Sequence, residues 1–273
     1  MAKTKRKWFP LRIIQSNLKY TLGLILFMAD LQNLLFFNPD LMCLNEVARR
    51  RSVLTQVAKN AKMRLYQAQG PGEQGGIALL AKASRFAVLK TVSEALTKEP
   101  PGKPTKRYAS CMILWDRISH CYVIFIGTHT VAAVERGGRL NPIPRTAFYI
   151  SHIFNLIAFA VRMRRMCKKE FGGYGQVIVA GDLNWHWGGV ETWINRALGS
   201  YFRVNHIVLG VLPTLGRRAV DVVMVRASVI RFTKHFTIKQ NSDHKGLIVD
   251  AEIGQVATPA YMKQHPHLMT GGL

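Results

Sequence analysis

Acidic residues are scarce in this chain: 15 Asp and Glu stand against 38 Lys and Arg, a formal charge of +23 over 273 residues. Such an excess costs self-repulsion in any compact state and calls for a polyanionic partner. Nucleic acid is the first candidate, ahead of an anionic membrane surface or an inositol phosphate. Cysteine is sparse too. The four residues Cys43, Cys111, Cys121 and Cys167 form no CxxC pair and no Cys/His cluster, which excludes the usual zinc frameworks. Cys43, Cys111 and Cys121 lie in apolar, strand-like runs, so buried reduced thiols and a reducing compartment are expected. Long apolar runs are missing. Leu22–Met28 and Ile153–Met163 are the longest, and a bilayer-spanning helix needs about 20 apolar residues. The basic start, MAKTKRKW, leads into a run broken by Pro10, Arg12, Gln15, Asn17 and Lys19. No signal peptide is expected, and the protein reads as soluble and cytoplasmic. No internal repeat is present.

What is there is a folding composition, 48% hydrophobic and 19% charged, long enough for one large domain or two small ones. Periodicity predicts strands over Leu11–Asn17, Leu41–Glu46, Met63–Gln67, Gly76–Ala81 and Phe86–Val92. Helices are expected over Thr21–Phe37, stopped by Asn38-Pro39-Asp40, and over Arg49–Lys62. Ser93–Lys106 reads as a basic loop inside the domain, because strand patterns resume at once. Arg107–Trp115 and Cys121–Thr128 read as a hairpin. A helix over Ile143–Lys169 and a strand over Gln176–Ala180 follow, then a helix over Val190–Leu198. Strands are expected over Phe202–Leu209, Ala219–Val225, Val229–Phe236 and Leu247–Ala251. This divides the chain into a basic tail (1–10), a domain (11–253) and a patternless C-terminal tail (254–273). Hairpins mixed with helix-separated strands indicate a layered α/β domain.

The polar residues that interrupt the apolar strands fall at strand ends: Asn17, Glu46, His129, Asp182 with Asn184, Asp221, and Asp243 with His244. Ligating and catalytic groups gather at such ends. In so basic a chain, carboxylates held at apolar strand ends call for a cation. Oxygen ligands suit Mg²⁺, with Mn²⁺ as a substitute, and such a cation offsets the charge of a phosphodiester under attack. On this reading Glu46 is a metal ligand and Asp182 in VIVAGDLN orients and deprotonates water. Asn184 donates to a phosphate oxygen. His129 and His244 serve as acid, base or cationic donors, with Asp221 holding one imidazole in its tautomer. Bland readings compete: Asn17 as a turn cap, Glu46 paired with Arg49 or Arg50, Asp221 paired with the Arg217-Arg218 run. Trp185-His186-Trp187 after GDLN could stack on a base or close the core. His120, His152, His206, His235, His265 and His267 are read as structural.

The ordered motifs SNLKY, LNEV, GTHT, GDLN, AVDVVMV and SDH resemble the endonuclease/exonuclease/phosphatase superfamily, the deoxyribonuclease I-like fold, from about Leu11 to Glu252. The resemblance implies a four-layer α/β sandwich of two packed mixed β-sheets flanked by helices. It implies metal binding by Glu46, Asp243 and Asn17, and catalysis by His129, Asp182, Asn184, Asp221 and His244. Arg107, Lys19 and Asn184 become substrate phosphate contacts. Two departures matter. His129-Thr130 stands where abasic-site repair enzymes carry Tyr followed by Pro-Asn, which argues against abasic-site repair. Lys19 stands where those enzymes often place an acidic residue, which argues against a second metal there. The expected activity is a Mg²⁺-dependent nuclease, a DNA endonuclease of low sequence specificity, with DNA favoured over RNA as partner. A phosphatase for an inositol phosphate or phospholipid head group is the alternative enzyme, and a nucleic-acid-binding protein on a nuclease scaffold the alternative non-enzyme. A compact Arg-rich chain of this kind is compatible with a viral or bacterial source.

Overall fold

The computed structural model describes residues 6–19, 21–68, 76–97, 106–130, 135–136, 139–140, 143–184 and 193–270. The Trp185-His186-Trp187 triplet and most of the basic loop after Thr97 lie outside the described residues. One six-stranded sheet contains β1 (Trp8–Asn17), β2 (Leu41–Asn45), β3 (Met63–Gln67), β4 (Ile77–Lys82), β13 (Ile230–Ile238) and β14 (Gly246–Gly254). Its order is β13-β14-β1-β2-β4-β3, parallel only between β1 and β2. The other contains β5 (Phe86–Ala95), β6 (Tyr108–Asp116), β7 (Cys121–His129), β10 (Gln176–Asp182), β11 (Arg203–Val204) and β12 (Asp221–Arg226). Its order is β11-β12-β10-β7-β6-β5, parallel only between β7 and β10. A small ribbon, β8 (Glu135–Arg136) with β9 (Arg139–Leu140), stands apart.

The two-residue period of each strand assigns its faces. Leu11, Ile13, Leu41, Cys43, Ile178, Ala180, Val223, Leu247 and Val249 face inward and form the layer between the sheets. Their alternates on the first sheet, among them Ile14, Met42, Leu44 and Ile248, pack on helices α1 (Leu24–Phe36) and α2 (Arg51–Asn60). Those on the second sheet, among them Ile113, Ile124, Val177 and Met224, pack on α3 (Ile143–Phe171) and α4 (Trp193–Tyr201). This is the four-layer α/β sandwich that the sequence suggests. The sheets approach closely. A Cβ on Gly127 would lie 2.7 to 2.9 Å from Leu79, Ile77 and Cys43 of the facing sheet, and one on Gly181 would lie 2.3 Å from the Thr128 carbonyl oxygen. Glycine in GDLN is therefore required for β10 to lie against β7. All four cysteines are free and buried, and burial pushes their thiols up, Cys121 to about 11.

Three expectations need correction. The strand expected over Phe202–Leu209 is cut to Arg203–Val204, and α5 (Asn205–Leu209) follows. Asn205 turns the chain there because its Oδ1 accepts the Val223 N–H at 2.9 Å, a bond that a continuing strand would not make. The N-terminal tail is shorter than expected, since β1 starts at Trp8 and pairs with Gly254. The last segment is not patternless. It carries α6 (Ala260–Gln264) and a 3₁₀ turn, with Met262 fully buried against the second sheet's outer core.

At the end of the sandwich where β1 and β2 begin, Arg85 is buried, 4% exposed. It holds Asp116 through Nε and Nη2 at 3.1 and 2.9 Å and Asp40 at 3.0 Å. Removing one partner from such a pair strands a buried charge. Asp116→Ala is expected to cost about 3–5 kcal/mol of stability, measured by urea unfolding; a loss under about 1 kcal/mol would show that Asp40 alone satisfies Arg85. Two histidines are buried as well. Burial, with the nearby Arg107 and His129, lowers His152 from 6.5 to about 3. Burial lowers His206 to about 4. Between pH 6.5 and these values the unfolded chain takes up protons that the folded chain refuses, so stability is full above 6.5 and falls as pH falls. The urea midpoint is expected to drop from pH 7 to pH 5, and less steeply in His152→Gln. Parallel pH slopes for the two proteins would overturn this assignment.

Candidate active site

Following the inner faces along their strands leads to the site. On β1 the inward positions run Leu11, Ile13, Gln15, Asn17; on β2, Leu41, Cys43, Asn45; on β10, Ile178, Ala180, Asp182. β7 ends on His129 and β12 begins on Asp221, opposite Asp182. The apolar inter-sheet layer thus turns polar at one end, where the parallel pairs β1–β2 and β7–β10 both finish. Period two places Asn17, Asn45, His129, Asp182 and Asp221 on the same interior face. Loops add the rest: Glu46 directly after β2, Asn184 after β10, and His244 just before β14.

The contacts among them are specific. Asp221 Oδ2 and His244 Nδ1 lie 2.8 Å apart, both groups buried. The other nitrogen of that ring, Nε2, lies 3.7 Å from Asp182 Oδ2, and His129 Nε2 lies 3.7 Å from the same oxygen. These distances are too long for direct hydrogen bonds. Asn17 Nδ2 donates to Asp182 Oδ2 at 3.1 Å and to Glu46 Oε1 at 3.0 Å. Its Oδ1 accepts from the Lys19 backbone at 3.0 Å, so Asn17 offers the two carboxylates its amide protons rather than its oxygen. The Asn184 backbone N–H donates to Asp182 Oδ1 at 2.8 Å, and the Asn184 side chain donates to the Thr130 carbonyl at 3.2 Å. Glu46, Asn184 and Lys19 all have positive φ, 59°, 49° and 47°. For Glu46 and Lys19 this left-handed geometry carries strain of about 1 kcal/mol or more, held by the surrounding hydrogen bonds.

Electrostatics follow from burial. Desolvation and the Asp221 charge raise the Asp182 carboxyl above its usual range, while His129, His244 and the Asn17 hydrogen bond oppose the rise. Burial alone would lower His244, but the bond to Asp221 and the charges of Asp221, Asp182 and Asp243 push it up to about 9. At neutral pH it is therefore an imidazolium. Asp182, Asp221 and His244 each bring one ligand atom within 4.8 Å of the others, close enough to share one ion. A protonated imidazole bonded to Asp221 is a poor ligand for a hard cation, so oxygen ligands are the better fit. Glu46 Oε1 and Asp182 Oδ2, bridged by one Asn17 amide, form such an oxygen set.

The structure therefore brings together Asn17, Glu46, His129, Asp182, Asn184, Asp221 and His244. Asp243 stands at the rim instead, half exposed, paired with Lys19 at 3.2 Å. That pairing lowers its carboxyl despite some burial. Arg107 lies just before β6, on the strand that pairs with β7, and its charge reaches His152 beneath Thr128. The sequence reading missed Gln15 and Asn45. Asn45 Nδ2 donates to the Thr128 carbonyl at 3.2 Å, and its Oδ1 accepts the Asp182 backbone N–H at 3.1 Å. Gln15 Nε2 donates to Asn45 Oδ1 at 2.6 Å and lies 3.3 Å from Asp221 Oδ1. A signal was present, since both amides sit at inward positions of otherwise apolar strands. His206, read as merely structural, contacts the Asp221 carbonyl at 2.8 Å. Asp30 fixes the loop before His244 by accepting the Asn241 and Ser242 backbone N–H groups at 2.8 and 3.0 Å.

No protein-family model matches the sequence, and comparison with curated proteins finds no sequence match. Likeness appears in the backbone. The human Nocturnin catalytic domain, solved with a bound sulfate anion, matches with a TM-score of 0.70 at 18% identity, over 90% of this chain and 97% of that one. D. rerio TDP2 in complex with a single strand DNA product matches with a TM-score of 0.63 at 16% identity, over 89% and 98%. An endonuclease/exonuclease/phosphatase family protein from Bacteroides thetaiotaomicron matches with a TM-score of 0.65 at 12% identity, over 91% and 97%. The likeness thus extends over nearly the full length of each. The chain has the fold of the endonuclease/exonuclease/phosphatase, deoxyribonuclease I-like superfamily.

Proposed function

We propose that the protein is a metal-dependent phosphodiester hydrolase acting on nucleic acid, a DNA endonuclease of low sequence specificity. The observation that carries the reading is the buried Asp221–His244 pair at 2.8 Å, aimed at Asp182 beside Glu46 at the sandwich edge. Asp182, raised in proton affinity by burial, accepts a proton from the attacking water. His244, cationic at neutral pH, and His129 face the charge that builds on the phosphate oxygens. Asp221 keeps His244 in its tautomer and stabilises its charge. Asn17 holds the two carboxylates through its amide protons, and Asn184 donates to phosphate. Glu46, beside Asp182 and joined to it through the Asn17 amide, would hold a divalent cation, Mg²⁺ or Mn²⁺, which when bound supplies charge neutralisation at the phosphodiester and its leaving oxygen. The formal charge of +23 supplies grip on a phosphate backbone without reading bases, which accounts for low sequence specificity.

Purified protein is assayed in parallel on supercoiled plasmid, RNA and inositol phosphates, with Mg²⁺ or EDTA. Plasmid nicking in Mg²⁺ and its loss in EDTA are expected. Asp182→Ala and His244→Ala should each lower turnover by at least about 10². Full activity in EDTA, or wild-type turnover in either folded variant, would overturn the mechanism. Release of inorganic phosphate from inositol phosphates with intact plasmid would replace the substrate class. Binding has its own test. For Asp182→Asn on two duplexes of unrelated sequence, log affinity is expected to fall linearly with log salt, by about 0.9 per phosphate contacted. A flat response on both duplexes would refute the nucleic-acid assignment.

A further inference from the structure

A cleft of about 510 Å³ opens on the flank of the sandwich, between α2 and the sheet edges formed by β3 and β5. Arg51, Thr55 and Lys59 line it from one face of α2 at four-residue spacing, which stacks them in a row along the helix. The adjoining face of α2 buries Leu54 and Val57 in the core, with Ala58 between the two faces. Arg64 of β3 and Thr91 of β5 line the other side, and Met112 lies among the apolar residues of its lining. Among the described residues none of those lining it is acidic. Lys59 and Arg64 have no carboxylate partner there either. Past Arg64 lies Arg117, whose proton affinity burial and the Arg64 charge both lower.

One end of the cleft lies at the catalytic end of the sheet. β3 runs parallel to β2, because both pair antiparallel to β4, so Gln67 lies at the catalytic end. Gln67 Nε2 donates to the carbonyl of Val47, the residue after Glu46, at 3.0 Å. Arg51 Nη1 donates to the Gln67 carbonyl at 3.2 Å. From Gln67 to Met63 the strand carries the cleft about 13 Å down the flank. Its volume lies within the range of ordinary ligand sites. Cations and hydroxyls at the rim suit phosphates, and the apolar floor suits bases or sugars, the combination by which single strands are tracked.

We infer that this flank cleft is a second binding site that holds a single-stranded segment of nucleic acid leaving the catalytic centre, with Arg51, Lys59 and Arg64 on successive phosphates. The inference rests on the nucleic-acid reading of the site. It predicts that strands long enough to pass Gln67 bind more tightly than short ones, and that a duplex with a single-stranded tail binds more tightly than a blunt one.

The test is Lys59→Gln/Arg64→Gln, two exposed residues outside the catalytic cluster, compared with its parent in an Asp182→Asn background for binding and in the active protein for cleavage. Fluorescence anisotropy is measured on blunt duplexes, tailed duplexes and single strands across a salt series. The double substitution is expected to weaken tailed and single-stranded ligands about 10-fold, and to reduce their salt slope by about 1.4, two contacts at about 0.7 each. Blunt duplex binding and hydrolysis of bis(p-nitrophenyl) phosphate should stay unchanged. Equal weakening of blunt duplexes, or no change on tailed ones, would overturn the cleft as a strand site. If the parent binds no nucleic acid at all yet hydrolyses the small diester, the substrate reading fails and the cleft assignment fails with it. If the parent binds tailed strands but hydrolyses nothing, the cleft stands and the catalytic reading fails.

Discussion

The side-chain amide of Asn45 crosses the interface between the two sheets, and the site depends on that crossing. Along its middle the inter-sheet layer is mainly apolar, held by non-directional burial that would tolerate small shifts of one sheet over the other. At the catalytic end Asn45 bonds to Thr128 on β7 and to the backbone of Asp182 on β10. Gln15 extends the tie to Asp221 on β12. Directional bonds in a buried setting set the relative position of five strands, since leaving any of these groups unpaired costs more than the bond itself returns. Gly127 and Gly181 allow the approach; the amides register it.

That registration gives the charged groups their properties. A carboxylate at the end of a solvated strand would titrate ordinarily. Asp182 is raised because it is 1% exposed and shares the pocket with Asp221, and His244 is raised as well because both carboxylates face it. Both shifts run upward, which makes Asp182 a better proton acceptor and keeps His244 a cation at neutral pH. Such a pocket is costly to build. The strained backbone at Glu46 and the buried charges are offset by the large apolar layers on either side, and the far end of the sandwich closes with its own Arg85–Asp116 pair.

Charge acts on a longer scale. The excess of Lys and Arg is spread over the surface, but the α2 flank converts part of it into a directed row, because four-residue spacing puts Arg51, Thr55 and Lys59 on one face beside the buried one. The Lys19–Asp243 pair has a different effect. It neutralises the one rim carboxylate that the chain order assigns to metal binding, leaving Glu46 and Asp182 as the carboxylates that share the Asn17 amide.

The sequence by itself determined the layered α/β class, most strand positions, and the membership of the strand-end set. Apolar alternation and the appearance of Asn17, His129, Asp182 and Asp221 at strand ends are local properties, written in consecutive residues. It also carried the cation excess. Tertiary structure alone decided which of these groups meet. Pairing register placed Asp221 opposite Asp182, loop closure by Asp30 brought His244 to Asp221, and Lys19 drew Asp243 to the rim. Gln15 and Asn45 looked like interruptions of apolar strands until the facing sheet supplied their partners. The reason is physical: a side chain's role in a site depends on partners distant in the chain, 206 residues away for Gln15 and Asp221 and 224 for Lys19 and Asp243, and no local pattern encodes which strand will face it. The break at Asn205 that ends β11 has the same origin, a single bond to Val223 on the neighbouring strand overriding local strand propensity.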